Sequence, residues 1–154
     1  MKISKKCDYA LRAMMTLVEN YGNGPLSIRQ LAQRNVVPKR FLEHILLDLK
    51  AKGWVTSVPG KHGGYLLAKS PDQITLGEIV RYFDGLLAPI ACVSVTHYQP
   101  CPIESGCRFR RLFLMIRNEA AALLDRTSLR QAYQGKPVKR QEIFDEALVE
   151  GAGI

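Results

Sequence analysis

The sequence has no apolar run approaching the roughly 18–20 residues that a membrane-spanning helix requires, so no membrane role is expected. Its opening, Met1-Lys2-Ile3-Ser4-Lys5-Lys6-Cys7-Asp8, is basic but leads into no apolar stretch. No secretory leader is therefore expected, and the expected location is the cytoplasm. Signatures of catalysis are missing too. There is no Ser/His/Asp set, no H-E-x-x-H, no phosphate loop and no G-x-G-x-x-G, so an enzyme is not expected. The string Gly60-Lys61-His62-Gly63-Gly64 is glycine-rich, but no helix opens after it as a phosphate loop demands. Internal repeats are absent as well.

Acidic residues are scarce in one half only. Residues 1–65 hold 11 Lys/Arg against 4 Asp/Glu, whereas residues 66–154 hold 11 against 10. Most of the net charge of +8 therefore lies in the first half. A one-sided basic excess points to a polyanionic partner, most often nucleic acid. Apolar residues make up 47% of the chain, enough for a core, which excludes wholesale disorder.

Cysteines number four, and three of them, Cys92, Cys101 and Cys107, fall within sixteen positions. In a cytosolic chain such a cluster fits a metal or redox site better than a disulfide framework. Cys7 reads as a small packing residue.

Periodicity predicts a helix from Lys5 to about Tyr21, with Tyr9, Ala10, Ala13, Met14, Leu17 and Val18 on one face, stopped by Gly22-Asn23-Gly24-Pro25. Ser27 and Gln30 form a capping box that opens a second helix. A turn at Arg34-Asn35-Val36-Val37 follows. Pro38 is expected at the first position of a third helix that runs to about Lys52 and ends at Gly53. Phe41, Leu42, Ile45, Leu46 and Leu49 form its apolar stripe, with Lys39, Arg40, Glu43, His44, Lys50 and Lys52 off it. Two helices joined by a short turn, the second polar and basic outside, make a helix-turn-helix pattern.

Trp54–Val58 and Gly64–Ala68 read as two strands joined by the tip Pro59-Gly60-Lys61-His62-Gly63. A hairpin directly after a recognition helix is a wing. Thr75 and Glu78 form another capping box, for a helix through Phe83 that ends at Asp84-Gly85. Residues 86–107 form a loop longer than most in compact domains. A long helix is expected from about Arg108 to Arg126. Its seam is Phe109, Leu112, Phe113, Ile116, Ala120, Leu123 and Leu124, with Arg110, Arg111, Arg117, Asn118 and Asp125 opposite. Such a helix, appended to a domain that already has a core, suits a dimer seam. The alternative is packing within the same chain. Thr127 or Ser128 caps a short helix from Leu129 to Gln134, and the tail beyond Gly135 is expected to be partly helical or frayed.

The expected fold is thus mostly α with a small β-hairpin wing: a winged helix-turn-helix at 1–85, a cysteine loop at 86–107, a dimerisation helix and short following helix at 108–134, and a tail at 135–154. On the third helix, Arg40 can bond a guanine edge bidentately, and Lys39 a phosphate or guanine. Glu43 can accept from a cytosine amino group, and His44 can reach a base or phosphate. The competing reading is a solvated face with Lys39 and Glu43 paired at i,i+4. Ser27, Lys61 and His62 complete the candidate contacts, the last two at the wing tip.

Several strings together resemble the IscR/NsrR type of bacterial regulator, the Rrf-two family. They are Asp8-Tyr9-Ala10-Leu11-Arg12-Ala13, Ser27-Ile28-Arg29-Gln30-Leu31-Ala32, Phe41-Leu42-Glu43, Gly63-Gly64-Tyr65-Leu66-Leu67-Ala68, Ile74-Thr75-Leu76-Gly77-Glu78-Ile79-Val80 and the three-cysteine loop. The resemblance runs from Met1 to about Gln134. It implies a homodimeric winged-helix repressor or activator on double-stranded DNA with a palindromic operator. It also implies an iron–sulfur cluster (2Fe-2S or 4Fe-4S) on Cys92, Cys101 and Cys107. The spacing here is C-x8-C-x5-C, with a longer first gap than the family's usual one. One branch of the family ligates with a histidine where this chain has Arg110. Another uses an aspartate of the partner's first helix, and Asp8 stands at that position. Asp8 can instead serve the helix dipole or pair with Arg12. His97 and Glu104 are lesser candidates. Pro59 occupies a wing position where relatives carry arginine. Two metal-independent or zinc-based alternatives stay open: zinc on the three cysteines with His97, and a disulfide between Cys101 and Cys107.

Overall fold

The computed structural model describes residues 1–144. It is mostly helical with one two-stranded antiparallel sheet, as expected. The helices are α1 (Lys5–Glu19), α2 (Ile28–Asn35), α3 (Lys39–Ala51), α4 (Leu76–Asp84), α5 (Arg110–Arg126), α6 (Leu129–Gln134) and α7 (Arg140–Ile143). The strands are β1 (Val55–Val58) and β2 (Gly64–Leu67). No helix among the described residues is long and apolar enough to cross a membrane.

Each early helix starts where side-chain chemistry dictates. The Ser4 hydroxyl accepts from the Cys7 N–H at the head of α1. Ser27 with Gln30 and Thr75 with Glu78 form the capping boxes of α2 and α4. Pro38 differs from expectation by one position. Its ψ of 130° is extended, so it stands outside α3 as the cap, and its carbonyl accepts from the Phe41 and Leu42 N–H groups. Gly53 follows the end of α3 with φ of 69°, the left-handed stop that glycine adopts at no steric cost.

The turn between α2 and α3 hinges on Val36, which has φ of 53°. A β-branched residue is strained there. Val37 instead turns inward and is buried. The backbone reversal therefore drives one valine into the core and leaves the other in solvent.

The core joins α1, α2 and α3 through Ala10, Ala13, Met14, Leu17, Leu31, Leu42, Ile45, Leu46 and Leu49. Val55 and Leu67 carry the hairpin onto it, and Ile74 and Ile79 bring in α4. Leu129 of α6 is fully buried in the same cluster. Residues past the cysteine loop therefore return to the core of the N-terminal half. Ile74 and Leu76 are tied there by backbone bonds: Leu129 N–H donates to Ile74 O (2.8 Å), and Leu76 N–H donates to Thr127 O (2.9 Å).

The segment expected as a bare loop at 86–107 holds a single 3-10 turn at Ala91–Val93. Of the expected tail at 135–154, the described part contains the short α7; residues 145–154 lie outside the described residues.

Candidate DNA interface and cysteine loop

The first turns of α3 present Lys39, Arg40, Glu43 and His44 together on the exposed face. Lys39 Nζ lies 3.7 Å from Glu43 Oε1, so the i,i+4 pair is made. Both partners are well exposed, and such a pair contributes only about 0.3–0.5 kcal/mol. A base edge or phosphate can displace it at small cost. Arg40 and His44 make no hydrogen bond or ion pair among the described residues, which leaves their donors available.

Phe41 departs from expectation. It belongs to the helical stripe by spacing, yet its side chain is 62% exposed while Leu42 beside it is fully buried. The stripe narrows at the head of α3 because Leu42, Ile45, Leu46 and Leu49 already fill the space over α1 and α2. Sequence periodicity alone gave no sign of this.

The wing projects from the C-terminal end of α3. Its strands pair in the register Val55↔Leu67 to Val58↔Gly64, leaving Pro59–Gly63 as the tip. Lys61 and His62 are exposed there. Gly63 N–H donates to Gly60 O (3.0 Å) and closes the tip. Of the tip glycines, Gly60 needs positive φ, at 107°. Gly63 and Gly64 are required for another reason. A Cβ on Gly63 would stand 2.8 Å from Pro59 C, and one on Gly64 would stand 2.7 Å from Ser27 N. Leu26 and Tyr65 exchange both backbone bonds, at 2.9 and 2.8 Å, so the strand passes directly against the start of α2. Lys50 Nζ donates to Ser57 Oγ at 2.6 Å and ties α3 to β1. Ser27 has its hydroxyl engaged with Gln30 as the α2 cap. Among the described residues no hydrogen bond or ion pair joins Lys61 or His62 to α3. Helix and wing tip are two separately exposed surfaces on one framework.

All four cysteines are free. Cys7 is fully buried in α1, as a packing residue should be. Burial pushes its thiol up to about 12, and the neighbouring Asp84 carboxylate adds to the shift. Cys92, Cys101 and Cys107 are half-buried. Cys92 and Cys107 line one cleft of about 470 Å³ with Tyr98, Glu104, Arg110 and Arg117. Cys101 lies outside that lining, with its N–H 3.5 Å from Glu104 Oε2. Among the described residues no three His, Cys, Asp or Glu side chains converge as a ligand set. The thiols suit a thiolate-held group in kind, but they number three and Cys101 stands outside the cleft that Cys92 and Cys107 share. A single chain does not bring them to one point.

Two arginines expected on the outer face of α5 point inward. Arg110 donates to Cys92 O through Nε and Nη2, at 3.2 and 2.8 Å, and Arg117 Nη1 donates to Val93 O at 2.7 Å. The turn that carries Cys92 is thus pinned to α5 by two guanidiniums. Glu104 completes the network. Its carboxylate lies 3.4 Å from Arg110 Nη2 and accepts from the Tyr98 hydroxyl at 2.7 Å. That bond holds the Glu104 carboxyl down and pushes the Tyr98 hydroxyl up. Glu104 is therefore a brace of the loop. His97 contacts Thr96 Oγ1 through its ring Nδ1, and its backbone N–H donates to Ser94 Oγ. Asp8 is occupied by Arg12 at 2.7 Å.

The expected seam of α5 divides in two. Phe113, Ala120 and Leu124 face their own chain, whereas Phe109, Leu112, Ile116 and Leu123 are exposed, joined by Met115.

Comparison with known proteins bears on both halves. The Rrf2 family model, described as an iron-dependent transcriptional regulator, matches residues 3–135. The rrf2-like HTH-type transcriptional regulator of Rhodobacter capsulatus is 42% identical, covering 82% of this chain and 89% of its own. Among solved structures, CymR, the global cysteine regulator of B. subtilis, superposes with a TM-score of 0.71 at 32% identity, covering 89% of this chain and 99% of that one. IscR of T. potens superposes with a TM-score of 0.65 at 28% identity, covering 90% and 94%. The relatives are named as regulators and not as enzymes. A helix-turn-helix with its hairpin, matched over nearly its whole length by regulators of transcription, has one assignment: the chain belongs to the Rrf2 family of DNA-binding transcriptional regulators.

Proposed function

We propose that this regulator works in the cytoplasm as a homodimer on a palindromic operator, and that its cysteine loop governs how well it binds. The observation that carries this reading is the pinning of the Cys92 turn to α5 by Arg110 and Arg117. The exposed side of that helix is an apolar stripe suited to a second copy. Whatever occupies the thiols therefore acts on the helix that sets the distance between two recognition helices.

Cys92, Cys101 and Cys107 would hold an iron–sulfur cluster, with Asp8 of the partner subunit as the fourth donor. Such a cluster supplies a site that nitric oxide, oxygen or iron shortage can attack. The chain's own residues do the rest. Glu104 and Tyr98 brace the loop, Arg110 and Arg117 couple it to α5, and α5 joins the winged-helix body through Asp125. Lys39, Arg40, Glu43 and His44 read the major groove, while Lys61 and His62 serve the wing. Pro59 removes one cation from the wing, which leaves Lys61 as its main electrostatic contact.

The experiment is anaerobic purification, followed by an absorption spectrum and iron and sulfide analysis. A brown protein with iron and sulfide in equal amounts supports the reading, provided that the triple variant Cys92→Ala, Cys101→Ala, Cys107→Ala is colourless. A second reading is favoured by the similarity to CymR, one similar structure of which is an oxidized form, and by the lack of a three-residue ligand set among the described residues: a thiol-redox regulator without metal. It predicts a colourless protein that loses two thiols on mild oxidation.

A further inference from the structure

We propose that Phe41 reads the 5-methyl group of an operator thymine and is a specificity-determining residue of this regulator. The inference rests on the reading of α3 as the recognition helix.

Phe41 occupies the first turn of α3, flanked by Lys39 and Arg40 and one turn before His44, all exposed. Its ring is 62% exposed although the core beneath α3 is complete without it. Among the described residues it joins no aromatic pair and no cation–π contact. The exposed apolar side chains of α2, the turn and α3 are Phe41, Val36 and Leu47, too few for a protein docking patch, which needs a contiguous apolar area. The surface as a whole suits a polyanion. In recognition helices the N-terminal residues are those that meet base edges. On the major-groove edge the one apolar group is the thymine methyl, and a phenyl ring packs on it while its charged neighbours take phosphates and polar edges. Phenylalanine has no hydroxyl to spend on a phosphate, so its gain on binding comes from this apolar contact.

The test begins with duplexes selected from a random DNA library by the purified wild-type protein. In the tightest duplex, thymines are replaced one at a time by deoxyuridine, which removes only the methyl. The wild type is expected to lose about fourfold in affinity at one thymine of each half-site, the equivalent of one buried methyl. Phe41→Ala should bind the thymine and deoxyuridine duplexes equally at that position, and Phe41→Leu should keep part of the preference. Thermal melting verifies that both variants fold. Deoxyuridine penalties that are absent in the wild type, or unchanged in Phe41→Ala, would overturn the inference alone. A library that yields no enriched sequence would overturn the operator reading and this inference with it.

Discussion

One buried hydroxyl locks the first two helices together. Thr16 Oγ1 donates to Asn35 Oδ1 at 3.0 Å, and Asn35 Nδ2 donates to Leu31 O at 2.9 Å, all within the core. Replacing Thr16 by Val keeps the shape and strands the Asn35 carbonyl oxygen. The expected loss is about 1–3 kcal/mol in urea unfolding, and Thr16→Ser should restore most of it. The buried Cys7 thiol makes a second prediction. Its folded value of about 12 lies above the ordinary 9.0, so the folded state holds the proton more tightly. That contribution is fully present below pH 9, and is lost as pH rises from there toward 12. Chemical denaturation along this range should show Cys7→Ala starting less stable than the wild type and falling less steeply. In native thiol titration, Cys7 should stay silent while Cys92, Cys101 and Cys107 react. The sequence marked Cys7 as a packing residue but gave no hint of the Thr16–Asn35 lock, because a buried pair between two helices has no local signature.

At the level of elements, capping boxes and glycine stops were legible because they are local chemistry. Ser27 with Gln30 and Thr75 with Glu78 stand where their spacing placed them. What periodicity missed was tertiary. It could not tell that α5 half-buries one apolar edge and bares the other, nor that Arg110 and Arg117 turn inward to carbonyls. The joint between α4 and α5 is of the same kind. A Cβ on Gly77 would lie 2.8 Å from Asp125 N and 2.9 Å from its Cα, so only glycine lets the helices approach this closely. Arg81 Nη2 donates to both carboxylate oxygens of the same Asp125. Gly77→Ala should therefore push α5 outward and cost about 1–3 kcal/mol of stability. Because α5 carries the cysteine loop, the change should also lower operator affinity more than the loss of stability explains, as read by DNA binding well below the melting temperature. A variant that melts earlier but binds normally would show the joint to be structural only.

For the whole molecule, the exposed stripe of Phe109, Leu112, Met115, Ile116 and Leu123 is the surface that two copies would share. Ile116→Glu should shift the protein to a monomer in sedimentation and reduce operator affinity by at least tenfold, since each half-site then binds alone. A dimer that survives this change would place the interface elsewhere. The winged-helix half was legible almost completely, because the order of helix, turn, helix and hairpin is written in periodicity and turn residues. The cysteine half was legible in composition but not in geometry: three thiols can be counted from a string, whereas where each one sits depends on how the loop folds.

If the proposed coupling holds, the state of the cysteine loop decides how well the recognition surface is placed. The direct measurement is anaerobic titration of the selected operator with iron-loaded protein and with the same preparation after iron removal, at one salt concentration. A clear difference in affinity or in site preference is expected, abolished when Arg110 and Arg117 are both replaced by Ala while the wing and α3 remain intact. Equal affinity and equal site preference in the two states would contradict it.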